Sequence, residues 1–600
     1  MSGLQACLAL SPLFRDLDGA VLADLAARAQ RIELASGSTL FRYGDAGDAL
    51  YVVATGRLRA SLPVGEGEET MGDAGRGEVV GEIALVTGEP RTATVRAIRD
   101  SVLIRIGKQD VECLLDRHPA AMMQLARLIV LRLSTHGRRR RRDALRSMRT
   151  LALVPAHDGV TNLRRLAEDL AAELCAFGSV RLLDAAAVDD TFGPGYAATP
   201  FSPGEHNNRL VDWLNALEAE HRFLIYLADA ATTAWSARCL RQADRILLLA
   251  EARHPPQLSD AVRYCLDHAI QTPRELVLWH ESAQLAEGCQ PVEWREQCAA
   301  VAHHHLRAGN AGDVAHLARM LTGHALGVVL GGGGARGFAH LGLLRLLTEQ
   351  GHRIDLIGGT SIGALIAALF AQGRSLDDMR AALDDLFVRH NYLNDYSLSR
   401  VSLIGGRKFR AQLERLFGEQ HIEMLPVPYF CVSTNLTRGS AVVHDSGLLR
   451  EWVASSMTIP GIGPPVVWRG DLLVDGGLLN NVPTDVMQDL GRGIVIGSDV
   501  SNAVELRVEG VDSSQPRDLL HYRSMASAFN IAKILFRSAT LVDENQVRAR
   551  RGSADLYLRM PVQGVGTFDW AAAQTLEQQA YDYARVELER FFAEQAKAAA

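Results

Sequence analysis

Hydrophobic and polar positions change rhythm three times along the chain. From Leu13 through Leu34 the apolar residues recur at helical spacing, with Ser11-Pro12 as cap and first turn. Short alternating runs follow: STLFRYG, ALYVVATGRLRASLP, TATVRAI and SVLIRIG. Turn residues separate them, which predicts a small β-sandwich or barrel. Two helical stretches, KQDVECLLDRHP and AAMMQLARLIVLRL, close this first domain at about residue 135.

From residue 150 to about 320 buried-strand patterns alternate with helical ones: LALVPA, NLRRLAEDLAAELCAFG, SVRLLDA, RLVDWLNALEAE, HRFLIYLAD, SARCLRQA, DRILLLAEA and RELVLWH. That rhythm predicts an α/β unit on a parallel sheet. Neither G-x-x-x-x-G-K-[ST] nor G-x-G-x-x-G occurs in it, so it reads as Rossmann-like without a phosphate loop. His303, His304 and His305 suggest a metal at first sight. On a helix, adjacent side chains diverge, and no metal site is expected there. A third α/β unit runs from about 325 to 590. It opens with the strand ALGVVL, the loop GGGGARG and the helix FAHLGLLRLLTEQG, followed by the strand IDLIGG and the helix ALIAALFAQG.

At 600 residues, 48% hydrophobic and 22% charged, the chain is an ordinary globular protein of several domains. The formal net charge of -7 argues against general nucleic-acid binding. Positive charge concentrates in 136–149, an arginine-rich linker with Arg138 to Arg142 unbroken. It reads as a solvated linker or as a patch for anionic lipid. The eight cysteines are scattered without a CxxC pair, which favours a reducing compartment over a disulfide framework or a zinc site. The first residues make a poor signal peptide, and no run of apolar residues is long enough to span a bilayer. A cytoplasmic protein, peripheral on the inner face of the membrane when it meets lipid, is the expectation.

The third unit carries the candidate chemistry. Gly359-Thr360-Ser361-Ile362-Gly363 is a G-x-S-x-G sequence between a strand and a helix, where a sharp turn exposes a serine at a helix N-terminus. The loop Gly331 to Gly337 brings backbone N–H groups close together, which suits an oxyanion hole. It also fits a dinucleotide loop, with Asp355 as the acid, or a plain tight turn. In LLVDGGLLNNVP a strand ends at Asp475, and Gly476 and Gly477 turn the chain. By itself that is a β-turn. A carboxylate within reach of a serine also serves as its base. His340 and His352 lie near Ser361 in sequence, but neither sits in a recognisable triad motif.

Taken in order, GGGGARG, GTSIG and DGG resemble the patatin-like phospholipase family over about 325 to 500. The resemblance implies a Ser-Asp dyad, with Ser361 as nucleophile and Asp475 as base. It implies the backbone of Gly332, Gly333 and Gly334 as oxyanion hole, with Gly337, Gly359, Gly363, Gly476 and Gly477 as motif glycines. No cofactor is implied for catalysis. Gly477 stands where many members have alanine. DAATTAWSARCLRQADRILLLA (229–250) and STNLTRGSAVVHDSGLLREWVASSMTIPG (433–461) are similar to the neuropathy target esterase branch. That branch implies a phospholipid or lysophospholipid substrate, and cyclic-nucleotide-binding-like domains ahead of the esterase.

GEIALVTGEPRTATVRA (81–97) resembles the phosphate-binding cassette of such domains, over about 12 to 135. It implies a β-roll with Arg91 on the cyclic phosphate of cAMP or cGMP, Thr92 supporting it and Glu82 on the ribose, in the segment opened by Gly81. The bland reading is a β-roll that lost its ligand, with Glu82 and Arg91 as a salt bridge. The resulting architecture is multidomain α/β: a cyclic-nucleotide-binding-like β-roll (1–135), a linker (136–149), a Rossmann-like unit (150–320) and a patatin-like hydrolase (325–590). A rival reading keeps the fold but makes the protein a cyclic-nucleotide sensor whose patatin-like unit only mediates interactions.

Overall fold

The computed structural model describes the chain apart from residues 1–2, 16, 65–66, 135–141, 143–144, 201–203, 269–271, 390–394, 396–400, 502–551 and 600. It forms two compact units, Met1–Gly323 and His324–Ala600.

In the first unit a six-stranded sheet is built around two long antiparallel strands, Ala49–Val64 and Thr94–Gly107. The helical pattern expected from Leu13 to Leu34 is realised only over Gly19–Arg28. Asp18 caps that helix through the Ala20 N–H. Gln30–Leu34 is a strand instead, paired antiparallel with Ser101–Arg105. Its alternation Ile32, Leu34 has the period of a strand, and the sheet edge outweighs helix propensity.

The second sheet of this unit is six-stranded and parallel. Its order is Ala302–Arg307, Arg274–His280, Arg245–Glu251, Thr150–Pro155, Phe223–Leu227, Val180–Leu183. Ala302–Arg307 corrects the helix assumed for the histidine run: His303 and His305 share one face of a strand, and His304 points to the other.

Buried charge joins the β-roll to this sheet. Arg57 and Arg99, cross-strand partners, reach Asp244 at 3.1 and 3.0 Å, and Arg99 also reaches Glu218 at 2.7 Å. All four side chains are nearly inaccessible. Such charges are tolerated inside a protein only when paired and hydrogen-bonded. Of the arginine run, Arg138 to Arg141 lie outside the described residues, and Arg142 is half-buried.

In the second unit an eight-stranded sheet has the order Val466–Trp468, Asp471–Asp475, Tyr429–Asn435, Leu356–Thr360, Ala325–Leu330, Gly493–Asp499, Leu556–Arg559, with Ser440–His444 also paired to Tyr429–Asn435. The central strands are parallel, and Ala325–Leu330 is apolar and buried along its whole length, as expected for a sheet covered on both faces. The C-terminal helix Ala573–Ala599 packs on Ala339–Glu349, where a Cβ on Gly342 would come within 2.2 Å of the Glu577 carbonyl oxygen. Among the described residues no helix is long and apolar enough to cross a membrane.

Candidate active site

The strand Leu356–Thr360 ends at Ser361, which sits at the N-cap of the helix Ile362–Ala371 with φ 57° and ψ −126°. A left-handed φ is costly for a side chain with a Cβ and marks a site where the surroundings impose strain. Those surroundings are visible. A Cβ on Gly359 would lie 2.5 Å from the Leu330 carbonyl oxygen, and one on Gly363 would lie 2.1 Å from the same atom. Only glycine lets the turn fold against the neighbouring strand. The Ser361 N–H donates to Ser456 Oγ at 3.0 Å, and that hydroxyl donates to the Val432 carbonyl at 2.6 Å.

Asp475 closes the strand Asp471–Asp475, antiparallel to Tyr429–Asn435, with Ser433 directly opposite. Its Oδ1 accepts the Gly477 N–H at 2.8 Å. Burial pushes the carboxyl up from 3.8 to about 6, while the hydrogen bonds from Ser361 and Gly477 pull the other way. Gly476 is required beside it: a Cβ there would lie 2.3 Å from the Val432 carbonyl oxygen.

The glycine loop lies against the serine, with a Cβ built on Gly332 falling 3.0 Å from Ser361 Cβ. Three side chains hold its carbonyls. His340 Nε2 donates to Gly331 O at 2.8 Å, Asn481 Nδ2 to Gly332 O at 3.2 Å and Arg336 Nε to Gly333 O at 3.2 Å. In a trans peptide the N–H points opposite to the C=O. Fixing these carbonyls therefore aims the N–H groups of Gly332, Gly333 and Gly334. The Gly332 N–H is committed to the Asn481 carbonyl at 3.2 Å. Those of Gly333 and Gly334 have no acceptor among the described residues. Of the three expected oxyanion donors, two are thus free to receive a ligand. Gly337 faces Ile362, where a Cβ would approach the side chain to 2.6 Å.

The histidines near Ser361 in sequence take other roles. His340 is fully buried, accepts from the Ser498 hydroxyl at 2.8 Å, and is pushed down to about 4 by burial. His352 stacks on Phe592. Asp355 accepts the Leu326 N–H, a structural role. Asn481, Ser456 and the His340–Ser498 pair were not singled out by sequence. Asn481 meets Gly332 across 149 residues of chain, which no local pattern announces.

In the β-roll, Gly81 has φ 88° and caps the helix Glu82–Thr87. Arg91 is buried beneath it, donating to Gly81 O (3.0 Å), Ala49 O (2.9 Å) and Asp48 Oδ1 (3.1 Å), with its guanidinium 4.2 Å from the Phe41 ring centroid. Its Nε is buried with no hydrogen-bond partner among the described residues. Glu82 is buried and Thr92 is exposed.

His280 and His305 of the parallel sheet and Cys289 of the loop that follows His280 bring potential ligand atoms within 4.8 Å of one another. The Ala286 N–H donates to His280 Nδ1 at 2.8 Å, so the ring proton sits on Nε2 and is shared with His305 Nδ1 at 2.8 Å. This is a hydrogen-bonded histidine pair, with Nε2 of His280 occupied by its proton.

Residues 328–487 match the patatin-like phospholipase family, 147–325 the neuropathy target esterase family P-loop like domain, and 31–118 the cyclic nucleotide-binding domain. The chain is 31% identical to patatin-like phospholipase domain-containing protein 7 of Rattus norvegicus over 601 residues, covering 90% of this chain and 44% of the relative. It is 30% identical to patatin-like phospholipase domain-containing protein 6 of Homo sapiens (96% and 45% covered). With neuropathy target esterase sws of Drosophila melanogaster the identity is 31% (82% and 37% covered). The chain therefore spans less than half the length of these relatives. Among solved structures, the regulatory domain of Toxoplasma gondii PKA with cAMP shares 31% identity at TM-score 0.18, covering 18% of this chain and 42% of that one. The catabolite activator protein of Thermus thermophilus shares 28% at TM-score 0.20, covering 28% and 68%.

Proposed function

Because the chain belongs to the patatin-like phospholipase family, in its neuropathy target esterase branch, we propose that it hydrolyses a carboxylic ester of a phospholipid or lysophospholipid through a Ser361–Asp475 dyad. What supports this reading is that Ser361, held at φ 57° in a strained turn, is one of the groups acting on the buried Asp475 carboxyl, which burial pushes up to about 6. A carboxylate of ordinary acidity is a weak acceptor for a hydroxyl proton; burial makes this one more basic.

As Ser361 Oγ attacks the ester carbonyl, its proton passes to Asp475 and the carbonyl oxygen becomes an oxyanion. The N–H groups of Gly333 and Gly334 stabilise that charge. Collapse of the tetrahedral intermediate breaks the bond to the alcohol, which leaves with the proton held by Asp475. A water then attacks the acyl-serine, giving its proton to Asp475, and Ser361 recovers a proton as the fatty acid departs. Ser361→Ala and Asp475→Asn should each abolish hydrolysis of a chromogenic short-chain ester and of lysophospholipid. A wild-type chain inert on both would favour the sensor whose patatin-like unit only mediates interactions.

In the β-roll, cAMP or cGMP is the proposed regulatory ligand. Arg91, with its unsatisfied Nε, would exchange the Asp48 carboxylate for the cyclic phosphate, and Glu82 would meet the ribose. Calorimetric titration of the wild type and of Arg91→Ala with each nucleotide tests this. The eight free cysteines fit a cytoplasmic setting, with lipid met at the inner face of the membrane.

A further inference from the structure

The strand Tyr429–Asn435 runs parallel to the nucleophile strand, with Val432 beside Thr360. Its continuation past Val432 therefore rises beyond the end of the sheet where Ser361 sits. The hairpin of Val466–Trp468 and Asp471–Asp475 rises with it, since Leu473 pairs with Asn435 and the Leu436 N–H donates to the Leu472 carbonyl at 2.8 Å. At the rise of an extended strand, Leu436 stands roughly 13 Å beyond Val432.

Residues opposite one another in antiparallel strands share a face. One face of this hairpin holds Leu473, Val466, Trp468 and Asp475, turned toward Trp452 and the dyad. The other presents Leu436, just past the end of Tyr429–Asn435, and Leu472 and Val467 of the hairpin, 47%, 42% and 68% exposed. Side chains of this size are rarely left open in a contiguous row without a partner. The turn that crowns the row carries Arg469, exposed and at φ 52°, with its guanidinium 4.6 Å from the Trp468 ring centroid. Arg438, 70% exposed, takes the Asp471 carboxylate together with Asn435 on the Trp468 side of the hairpin.

We infer that this hairpin is the element that docks the hydrolase unit on an anionic lipid bilayer, with Leu436, Leu472 and Val467 entering the head-group boundary and Arg469 meeting lipid phosphate. The inference rests on the proposed lipid substrate. An exposed apolar row crowned by an exposed arginine at its turn matches the chemistry of such a surface, which is apolar below and negative above. The position matches as well: the row stands on the same end of the sheet as Ser361, so docking brings the head-group layer to the nucleophile.

The test uses the full chain carrying Ser361→Ala, so that binding is read apart from hydrolysis. Sedimentation with vesicles of phosphatidylcholine and phosphatidylserine should show binding that falls at least ~10-fold in V467E/L472E. Arg469→Gln should reduce the preference for phosphatidylserine over pure phosphatidylcholine vesicles. With Ser361 restored, V467E/L472E should hydrolyse a soluble short-chain ester at the wild-type rate, showing an intact fold, and lose hydrolysis of vesicle lipid. Unchanged vesicle binding in V467E/L472E would overturn the assignment. So would light scattering that showed a wild-type dimer split by these substitutions, which would make the row a contact with a second copy. A wild type that binds vesicles but hydrolyses no ester would fail the proposed function and leave the docking result standing.

Discussion

Asp475→Asn should make the hydrolase unit more stable while abolishing its chemistry. In the fold the Asp475 carboxyl is pushed up from 3.8 to about 6 by burial, against the hydrogen bonds from Ser361 and Gly477. Carrying the charged form at neutral pH thus costs about 3 kcal/mol relative to an open carboxylate. The sign follows from linkage. Below about pH 4 both folded and unfolded states hold the proton, and no penalty exists. As pH rises through about 6 the folded state must give up its proton against burial, and stability falls. Asparagine has the same shape without the charge. Its Oδ1 still accepts the Gly477 N–H, and its amide donates to Ser361 Oγ. The variant should therefore be about 1–3 kcal/mol more stable at pH 8 and equal to the wild type near pH 4. Its hydrolysis should fall ~10⁴-fold, because the amide accepts no proton. A chain of two compact units does not unfold in one step. Hydrogen exchange of peptides spanning Leu356–Thr360 and Asp471–Asp475 reads the right unit. A variant less stable at pH 8, or equally stabilised at both pH values, would show that no charge penalty rests on Asp475.

The same carboxyl sets a pH profile: kcat/KM on a soluble ester should lose about tenfold per pH unit below an apparent pKa near 6, and be flat above it. Asn481→Ala releases Gly332 O, so the next N–H loses its aim; kcat should fall up to ~10²-fold with KM little changed, seen in steady-state kinetics. Arg99→Met leaves Glu218 and part of the Asp244 cluster as buried charge without its partner. It should destabilise the first unit by about 3–5 kcal/mol, measured by denaturant unfolding followed by exchange of the strand Thr150–Pro155.

Legible in the chain itself is whatever a few consecutive residues impose. Gly359 and Gly363 around Ser361, and Gly476 after Asp475, announce turns that no side chain could share, and the structure shows the carbonyls of Leu330 and Val432 that exclude one. The parallel strands of both α/β units were legible because a strand covered on two faces is apolar along its whole length. Elsewhere local pattern misled: Gln30–Leu34 and Ala302–Arg307 became strands because neighbouring strands offered them hydrogen-bond partners. Which groups meet was set by the packing of distant segments. Ser361 and Asp475 are brought together by strands on either side of Tyr429–Asn435, and His340 holds the glycine loop instead of the serine. The commitment of the Gly332 N–H to Asn481 and the burial that raises Asp475 are likewise long-range. So is the open row of Leu436, Leu472 and Val467, whose alternation reads like that of any strand until packing covers one face and leaves the other bare. Side-chain type is written in the chain; solvent access and hydrogen-bond partners depend on residues a hundred or more positions away.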